Sequence, residues 1–350
     1  MADELLRVEN LRVTAGRHEI VKGVSLTLKK GEIVGLAGES GCGKSTFLKS
    51  VIRLLAPGLT ISGGRARFDG IDLLDLSLED MRRLRGRRLT LVSQNAVEAL
   101  NESRTIGSLF LETMRSHQKI GKKEAMRQAA DLMAGLDLSD SERILASYPF
   151  QLSGGMNQRV LIALAMIMKP ELMLADEPTS ALDAAVQAQA VAEMLKLREK
   201  YRTAILIVTH NLGVLAHMAE TVGIMYAGRL VEYGPNESIL RHPGHPYTQA
   251  LIASIPDLDG NLRGAIEGNP PAPWKDPPGC AFAPRCSFTL EICHRVRPEL
   301  RHLDDVHLAA CHLKFAPKPS SGRSLNSPPL TSPNPTGQAT MGPPVDRLPD

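Results

Sequence analysis

The stretch Gly38-Glu39-Ser40-Gly41-Cys42-Gly43-Lys44-Ser45, of the form G-x-x-x-x-G-K-S, constrains this chain more than any other. Glycines at 38, 41 and 43 let the backbone curl around an anion with its N–H groups pointing inward. Lys44 then reaches the outer phosphates of a nucleotide, and the Ser45 hydroxyl offers an oxygen to Mg²⁺. The mostly apolar run Glu32–Ala37 has strand character, and Thr46 to Ile52 continue at helical spacing. The loop therefore joins a strand to a helix N-terminus whose partial positive charge faces the phosphates. Residues 38–46 are all expected to touch nucleotide. No G-x-G-x-x-G occurs in this loop, which sets aside a dinucleotide-binding reading.

A chain of 350 residues predicts one large or two modest domains, and 43% hydrophobic residues suffice for a sizeable core. The net charge of +3 gives no argument for direct contact with nucleic acid. The acidic start Met1-Ala2-Asp3-Glu4 is followed by no apolar signal region, and the run Val160–Met168 is far too short to span a bilayer. The expectation is a soluble, cytoplasmic chain whose membrane role comes through a partner.

Along the chain, residues 5–36 read as strands and turns, with Val24–Leu28 alternating at period 2. A second strand pair is expected from Gly64 to Leu74 around Asp69-Gly70. Residues 77–88 read as an amphipathic helix bearing Leu78, Met81 and Leu84, with the basic run Arg82–Arg88 as its solvated face. Leu89–Ser93 is a strand ending at Gln94, and residues 105–147 are mostly helical. A helix is expected to begin near Met156, after Ser153-Gly154-Gly155. Leu172–Ala175 is a buried strand ending in Asp176 and Glu177. A long helix runs from Ala184 to Tyr201, and the strand Ala204–Thr209 ends at His210. Strands alternating with helices predict a mostly parallel α/β sheet, with its site at the carboxyl ends of the strands. Beyond Ala227 the pattern changes, residues 257–314 are rich in Pro, Cys and His, and from 315 a Pro/Ser/Thr-rich tail is expected to be disordered.

An apolar strand ending in Asp-Glu downstream of a phosphate loop is the Walker B arrangement. Asp176 is expected to hold Mg²⁺ together with Ser45, Glu177 to orient or deprotonate the attacking water, His210 to contact the γ-phosphate, and Gln94 to sense both metal and water. Ser153-Gly154-Gly155 at a helix N-terminus make a second anion site. One chain already carries a full phosphate loop, so the second site suggests nucleotide shared between two protomers.

These motifs resemble the ATP-binding-cassette ATPases. Leu152-Ser153-Gly154-Gly155-Met156 looks like the family signature and Ser180-Ala181-Leu182-Asp183 like its D-loop, with Gln94 the Q-loop glutamine and His210 the switch histidine. The resemblance covers roughly residues 5–235. It implies a P-loop NTPase (RecA-like) core with an antiparallel β subdomain and a helical subdomain. It also implies that Ser153, Gly154 and Gly155 act on a partner's ATP and that Asp183 communicates across the dimer. Tyr148–Arg159, His245-Pro246-Tyr247-Thr248-Gln249-Ala250-Leu251 and Gly279–Cys286 further resemble the oligopeptide/dipeptide/nickel importer branch. That implies domains at 1–235 (cassette), 236–314 (Cys-containing extension) and 315–350 (tail). It also implies two permeases, a second ATPase (a paralogue or a second copy), an extracytoplasmic solute-binding protein and a peripheral place on the cytoplasmic face of the membrane. The alternative class is a non-transport ABC ATPase acting on nucleic acid or the ribosome. Such proteins carry coiled-coil, zinc-module or tandem-cassette insertions, whereas this cassette is uninterrupted.

Cys280, Cys286, Cys293 and Cys311 follow the spacing C-x5-C-x6-C-x17-C, and in a cytosolic chain they are not expected to form disulfides. Four thiolates hold zinc or an iron–sulfur cluster, and the spacing does not decide between these and unligated cysteines; His294, His302, His307 and His312 are alternative ligands. The resemblance implies a [4Fe–4S] cluster, as some members of the branch carry. Cys42 reads as a small filler of the phosphate loop. Several positions depart from the family pattern: Ala15 stands where an adenine-stacking aromatic is usual, with His18 nearby; Asn95-Ala96 replaces Asp-Pro; Glu102 replaces a proline; and Asn211 follows the histidine in place of Asp.

Overall fold

The computed structural model describes residues 3–180, 183–255, 264, 266–272 and 274–315. Its strands are β1 (Glu4–Ala15), β2 (His18–Lys29), β3 (Ile33–Ala37), β4 (Leu59–Phe68), β5 (Ile71–Asp72), β6 (Leu89–Val92), β7 (Leu172–Asp176), β8 (Ala204–Thr209), β9 (Thr221–Tyr226), β10 (Arg229–Pro235), β11 (Arg301–His302) and β12 (Leu308–Ala309). The helices are α1 (Lys44–Val51), α2 (Leu78–Leu84), α3 (Ala96–Ala99), α4 (Ile106–Arg115), α5 (Lys122–Ala134), α6 (Ser141–Ala146), α7 (Gly154–Met166), α8 (Ala184–Tyr201), α9 (Leu212–Met218), α10 (Asn236–Arg241), α11 (Pro246–Ala253), α12 (Glu291–Arg295) and α13 (His312–Phe315).

The central sheet has the order β11-β12-β10-β9-β3-β8-β7-β6. Strands β9, β3, β8, β7 and β6 run parallel, and each of β3, β7 and β8 is buried along its whole length. Burial on both faces explains why they read as unbroken apolar runs. Successive side chains still part to opposite faces. Ile33 and Ala37 join one core with Met173, Ile205 and the helices α4, α5 and α7; Val34 and Leu36 join the other with Leu174, Leu206 and the second sheet. That second sheet, β2-β1-β4-β5, is antiparallel and presents Leu6, Val8, Leu11, Val24, Leu26 and Leu28 to Phe47 and Leu48 of α1.

Three elements differ from the sequence expectation. β4 starts at Leu59 rather than near Gly64, because Gly63-Gly64 sits within the strand. Gly64 has φ +94°, and a Cβ there would lie 2.5 Å from Asn10 O, where the β1–β4 register slips. The bulge is in β1, where Asn10 and Leu11 together oppose Gly64, and a glycine there admits the close approach of that backbone. Helix α2 buries Met81 but leaves Leu78 75% exposed. The basic run after it is not simply a solvated face: Arg85 donates to the carbonyls of Ile52 and Arg53, and Arg88 pairs with Glu171 and Asp69.

The chain up to Phe315 forms one compact unit. The extension is stitched to the central sheet through β12, which pairs with β10. Beneath this seam the buried Glu232 carboxylate accepts from the Gly244 and His245 N–H groups and from His307 Nε2, the last at 2.7 Å. His245 caps α11: its Nδ1 accepts from Tyr247 N–H at 3.0 Å, and burial pushes the ring's pKa down to about 4 against the opposing pull of Glu232. Between about pH 4 and 6.5 the unfolded chain takes up a proton that the folded ring refuses. Stability is therefore expected to fall as the pH drops through that window, by on the order of 2 kcal/mol at about pH 5. His245→Asn, which keeps a capping acceptor, should flatten the difference in urea midpoint between about pH 7 and about pH 5; equal pH dependence in both proteins would refute the assignment.

Candidate active site

The loop from Gly38 to Gly43 leaves the end of β3 and enters α1, whose first residue is Lys44. Gly38, Gly41 and Gly43 take φ values of +152°, +79° and +103°, open to glycine and costly for other residues. Gly38 has a second reason: a Cβ would lie 2.2 Å from Met225 O and 2.9 Å from Cys42 Sγ. The buried Lys44 ammonium lies across the loop, donating to Gly38 O at 2.7 Å and Glu39 O at 3.0 Å. Ser40 and Gly41 are exposed at the tip, and Ser45 and Thr46 are partly buried in the first turn of α1. Cys42 is buried, which pushes its thiol pKa up despite the neighbouring Lys44, consistent with a filler and not a reactive thiolate.

Two of the residues expected to hold metal meet. Ser45 Oγ donates to Asp176 Oδ1 at 2.6 Å, joining the helix after β3 to the end of β7. A hydroxyl and a carboxylate side by side are hard oxygen donors of the kind Mg²⁺ takes. Lys49 Nζ, 2.9 Å from Asp176 Oδ2, neutralises the buried carboxylate; sequence reasoning missed it, although Lys49 lies four residues after Ser45 and so on the same helix face.

The residue just after β7 faces a different group. Glu177 takes φ +48°, in the left-handed region that a non-glycine residue adopts at some cost. Its carboxylate Oε2 lies 2.9 Å from His210 Nδ1 and accepts from Gln94 Nε2 at 3.5 Å. The chain directions of β6, β7 and β8 thus bring Gln94, Glu177 and His210 together. Gln94 and His210 are exposed, while the Glu177 side chain is 11% exposed.

Ser153 is the N-cap of α7, accepting from Met156 N–H at 3.3 Å, so the helix opens at Gly154 and not at Met156. Ser153 and Gly154 are exposed and Gly155 packs near Val186 of α8. Among the described residues no hydrogen bond joins 153–155 to the phosphate loop. Asp183 immediately precedes α8 and accepts from Val186 N–H at 3.0 Å; Ala181 and Leu182 lie outside the described residues. Ala15 faces His18 across the β1–β2 turn, with no aromatic ring at that position.

The four C-terminal cysteines line one narrow cavity with His245 and Phe282. Cys293 and Cys311 are buried, and Cys280 N–H donates to Cys293 O at 2.7 Å. Burial raises the Cys280 thiol to about 11, and it raises Cys286 and Cys311 as well, with the neighbouring thiols adding to the effect. Among the described residues no three His, Cys, Asp or Glu side chains are placed to share a metal ion.

The family described as "ABC transporter" matches residues 21–180, and that described as "Oligopeptide/dipeptide transporter, C-terminal region" matches residues 231–293. The chain is 39% identical over 321 residues to the dipeptide transport ATP-binding protein DppD of Bacillus subtilis, covering 89% of this chain and 95% of that one. The chain belongs to the ABC transporter ATP-binding family, in its oligopeptide/dipeptide branch. The oligopeptide transport ATP-binding protein OppD of Salmonella typhimurium is 37% identical over 89% of this chain and 94% of its own length. Among solved structures the cassette MJ0796, a dimer bound to ADP and Pi, superposes with a TM-score of 0.58 at 26% identity, covering 66% of this chain and 99% of that one. The cbiO1 subunit from Clostridium perfringens shares the fold, with a TM-score of 0.59 at 22% identity over 69% of this chain and 92% of its own.

Gly38→Ala tests the loop geometry. The added methyl must displace Met225 O, so nucleotide affinity is expected to fall by about tenfold or more and the melting temperature to drop by a few degrees. Titration with a fluorescent ATP analogue measures the first and thermal unfolding the second; unchanged affinity would contradict the steric reading.

Proposed function

We propose that this chain is the ATP-hydrolysing motor of an importer that takes up peptides or a related small solute through partner permeases. The observation that carries the reading is the Glu177 carboxylate, set one residue beyond Asp176 and bonded by His210 and Gln94. Membership of the peptide-import branch supports the solute class.

The chemistry follows from the residues. The phosphate loop and Lys44 bind the β- and γ-phosphates; Ser45 and Asp176 hold Mg²⁺, which when bound neutralises charge developing on the transferred phosphoryl group. Glu177 orients a water against the γ-phosphate and draws off its proton. His210 keeps the carboxylate turned to that task and meets the phosphate, and Gln94 reports on whether the site is filled. No covalent intermediate is needed, since positioning and charge stabilisation account for the rate.

The exposed Ser153 and Gly154, at a helix N-terminus, suit contact with the ATP of a second cassette, and Asp183 suits the seam between the two. The solved cassette MJ0796 is itself described as a dimer. Among the described residues no helix is long and apolar enough to cross a membrane. Attachment at the cytoplasmic face through two permeases, with a solute-binding protein outside, completes the reading.

Four thiols lining one cavity are the donor set that a [4Fe–4S] cluster takes. Buried thiols with raised pKa values stay protonated unless a cationic centre draws off the proton. The residues that would hold the cluster are Cys280, Cys286, Cys293 and Cys311.

Glu177→Gln is expected to lower ATP turnover by roughly 10²- to 10⁴-fold while nucleotide still binds; steady-state ATPase assays and an ATP titration separate the two, and near-normal turnover would end the assignment of Glu177. Chain purified without oxygen should contain iron and acid-labile sulfide in equal amounts, and Cys293→Ser should lose both. Zinc in place of iron, or neither element, would overturn the cluster and leave the ATPase assignment intact.

A further inference from the structure

The phosphate loop carries a carboxylate, Glu39, beside the place where a triphosphate must bind, and a like charge there weakens anion binding. The structure shows what offsets it. Arg285 forks onto Glu39, Nη1 to Oε2 at 2.7 Å and Nη2 to Oε1 at 2.9 Å. The same guanidinium donates to Tyr226 Oη at 3.2 Å and to Glu267 O at 2.8 Å, and its side chain is 5% exposed. Glu39 is held on its backbone too. Its N–H donates to Tyr247 Oη at 2.8 Å, and its carbonyl accepts from Lys44 Nζ. The rings of Tyr226, Tyr247 and Phe282 pack against one another with centroids 4.5 to 5.4 Å apart, and the guanidinium lies 5.9 Å from two of them. Arg285 and Tyr247 both come from the extension, and Arg285 immediately precedes Cys286. A two-bond fork between a buried arginine and a carboxylate is strong and geometrically specific.

We propose that Arg285 is a positioning residue for the phosphate loop. It neutralises Glu39 and turns its carboxylate away from the phosphates, so the cysteine-bearing extension sets the affinity of the ATP site. The inference rests on the loop binding nucleotide and is independent of the solute carried and of what the thiols hold.

In the full chain, Arg285→Gln leaves Glu39 unneutralised and raises KM for ATP by roughly tenfold, with kcat at saturating ATP within about twofold. Arg285→Lys, which keeps a charge but loses the fork, raises it less. Glu39→Gln alone lowers KM, because Arg285 is then left beside the phosphates with no carboxylate to offset its charge. The double variant Glu39→Gln, Arg285→Gln returns KM towards the wild-type value. Thermal unfolding run on each variant reports whether the fold is kept; should Arg285→Gln fail to fold, the same comparison is made with Arg285→Lys with and without Glu39→Gln. Suppression by Glu39→Gln supports the proposal. An unaltered KM in the Arg285 variants, a loss confined to kcat, or a double variant as weak as the Arg285 single would each overturn it. Loss of turnover in Glu177→Gln alongside an inert Arg285 would leave the ATPase standing and this proposal alone refuted.

Discussion

The hydrogen-bonded register of three parallel strands is the constraint on which the site depends. Ala37 at the end of β3 lies opposite Thr209 at the end of β8, and Val208 lies opposite Asp176 at the end of β7. Residues far apart in the chain therefore leave the sheet at one edge. The phosphate loop, the Asp176-Glu177 pair and His210 meet there because parallel pairing in register gives the strands a common end, as in other open α/β sheets. The core enforces the register: β3, β7 and β8 are buried along their length, and a one-residue slip would exchange every side chain between two differently shaped cores.

Charge is the second organising principle. The site gathers the buried Lys44 and Asp176 with the partly exposed Lys49, and each charged group has a partner. Lys44 bonds to loop carbonyls, Asp176 to Ser45 and Lys49, and Glu177 to His210 and Gln94. Glu39 completes the pattern through an arginine some 246 residues away. An unpaired buried charge is expensive, so the loop after β3 and the extension that supplies Arg285 are energetically one structure. The Glu232, His245 and His307 cluster also holds the same extension to the sheet.

Much of this was legible in order. The phosphate loop, the strands at 172–176 and 204–209 and the helix at 184–201 stand where apolar patterning and loop chemistry put them. Gln94, Asp176, Glu177 and His210 could be named because each ends an apolar run, and strand ends are where such sheets work. Less legible were the places where a local signal has two meanings. Gly63-Gly64 reads as the edge of a strand until the bulge of β1 at Asn10 and Leu11 is brought against Gly64. Arg85 and Arg88 belong to a basic run that looks solvated until Ile52, Arg53, Glu171 and Asp69 are brought alongside.

What the sequence by itself determined is the chemistry on offer: a loop for phosphate, an Asp-Glu pair, a histidine and glutamine at strand ends, a Ser-Gly-Gly helix start and four cysteines. Each is a short pattern whose meaning comes from neighbours a few residues away, and short-range backbone geometry suffices to read it. What only the tertiary structure decided is which of these groups touch. Ser45 meeting Asp176, Glu177 between His210 and Gln94, four thiols around one cavity and Arg285 on Glu39 are all contacts at long chain separation. They are set by sheet register and by the packing of Tyr226, Tyr247 and Phe282, and no local pattern encodes a distance that the core alone establishes.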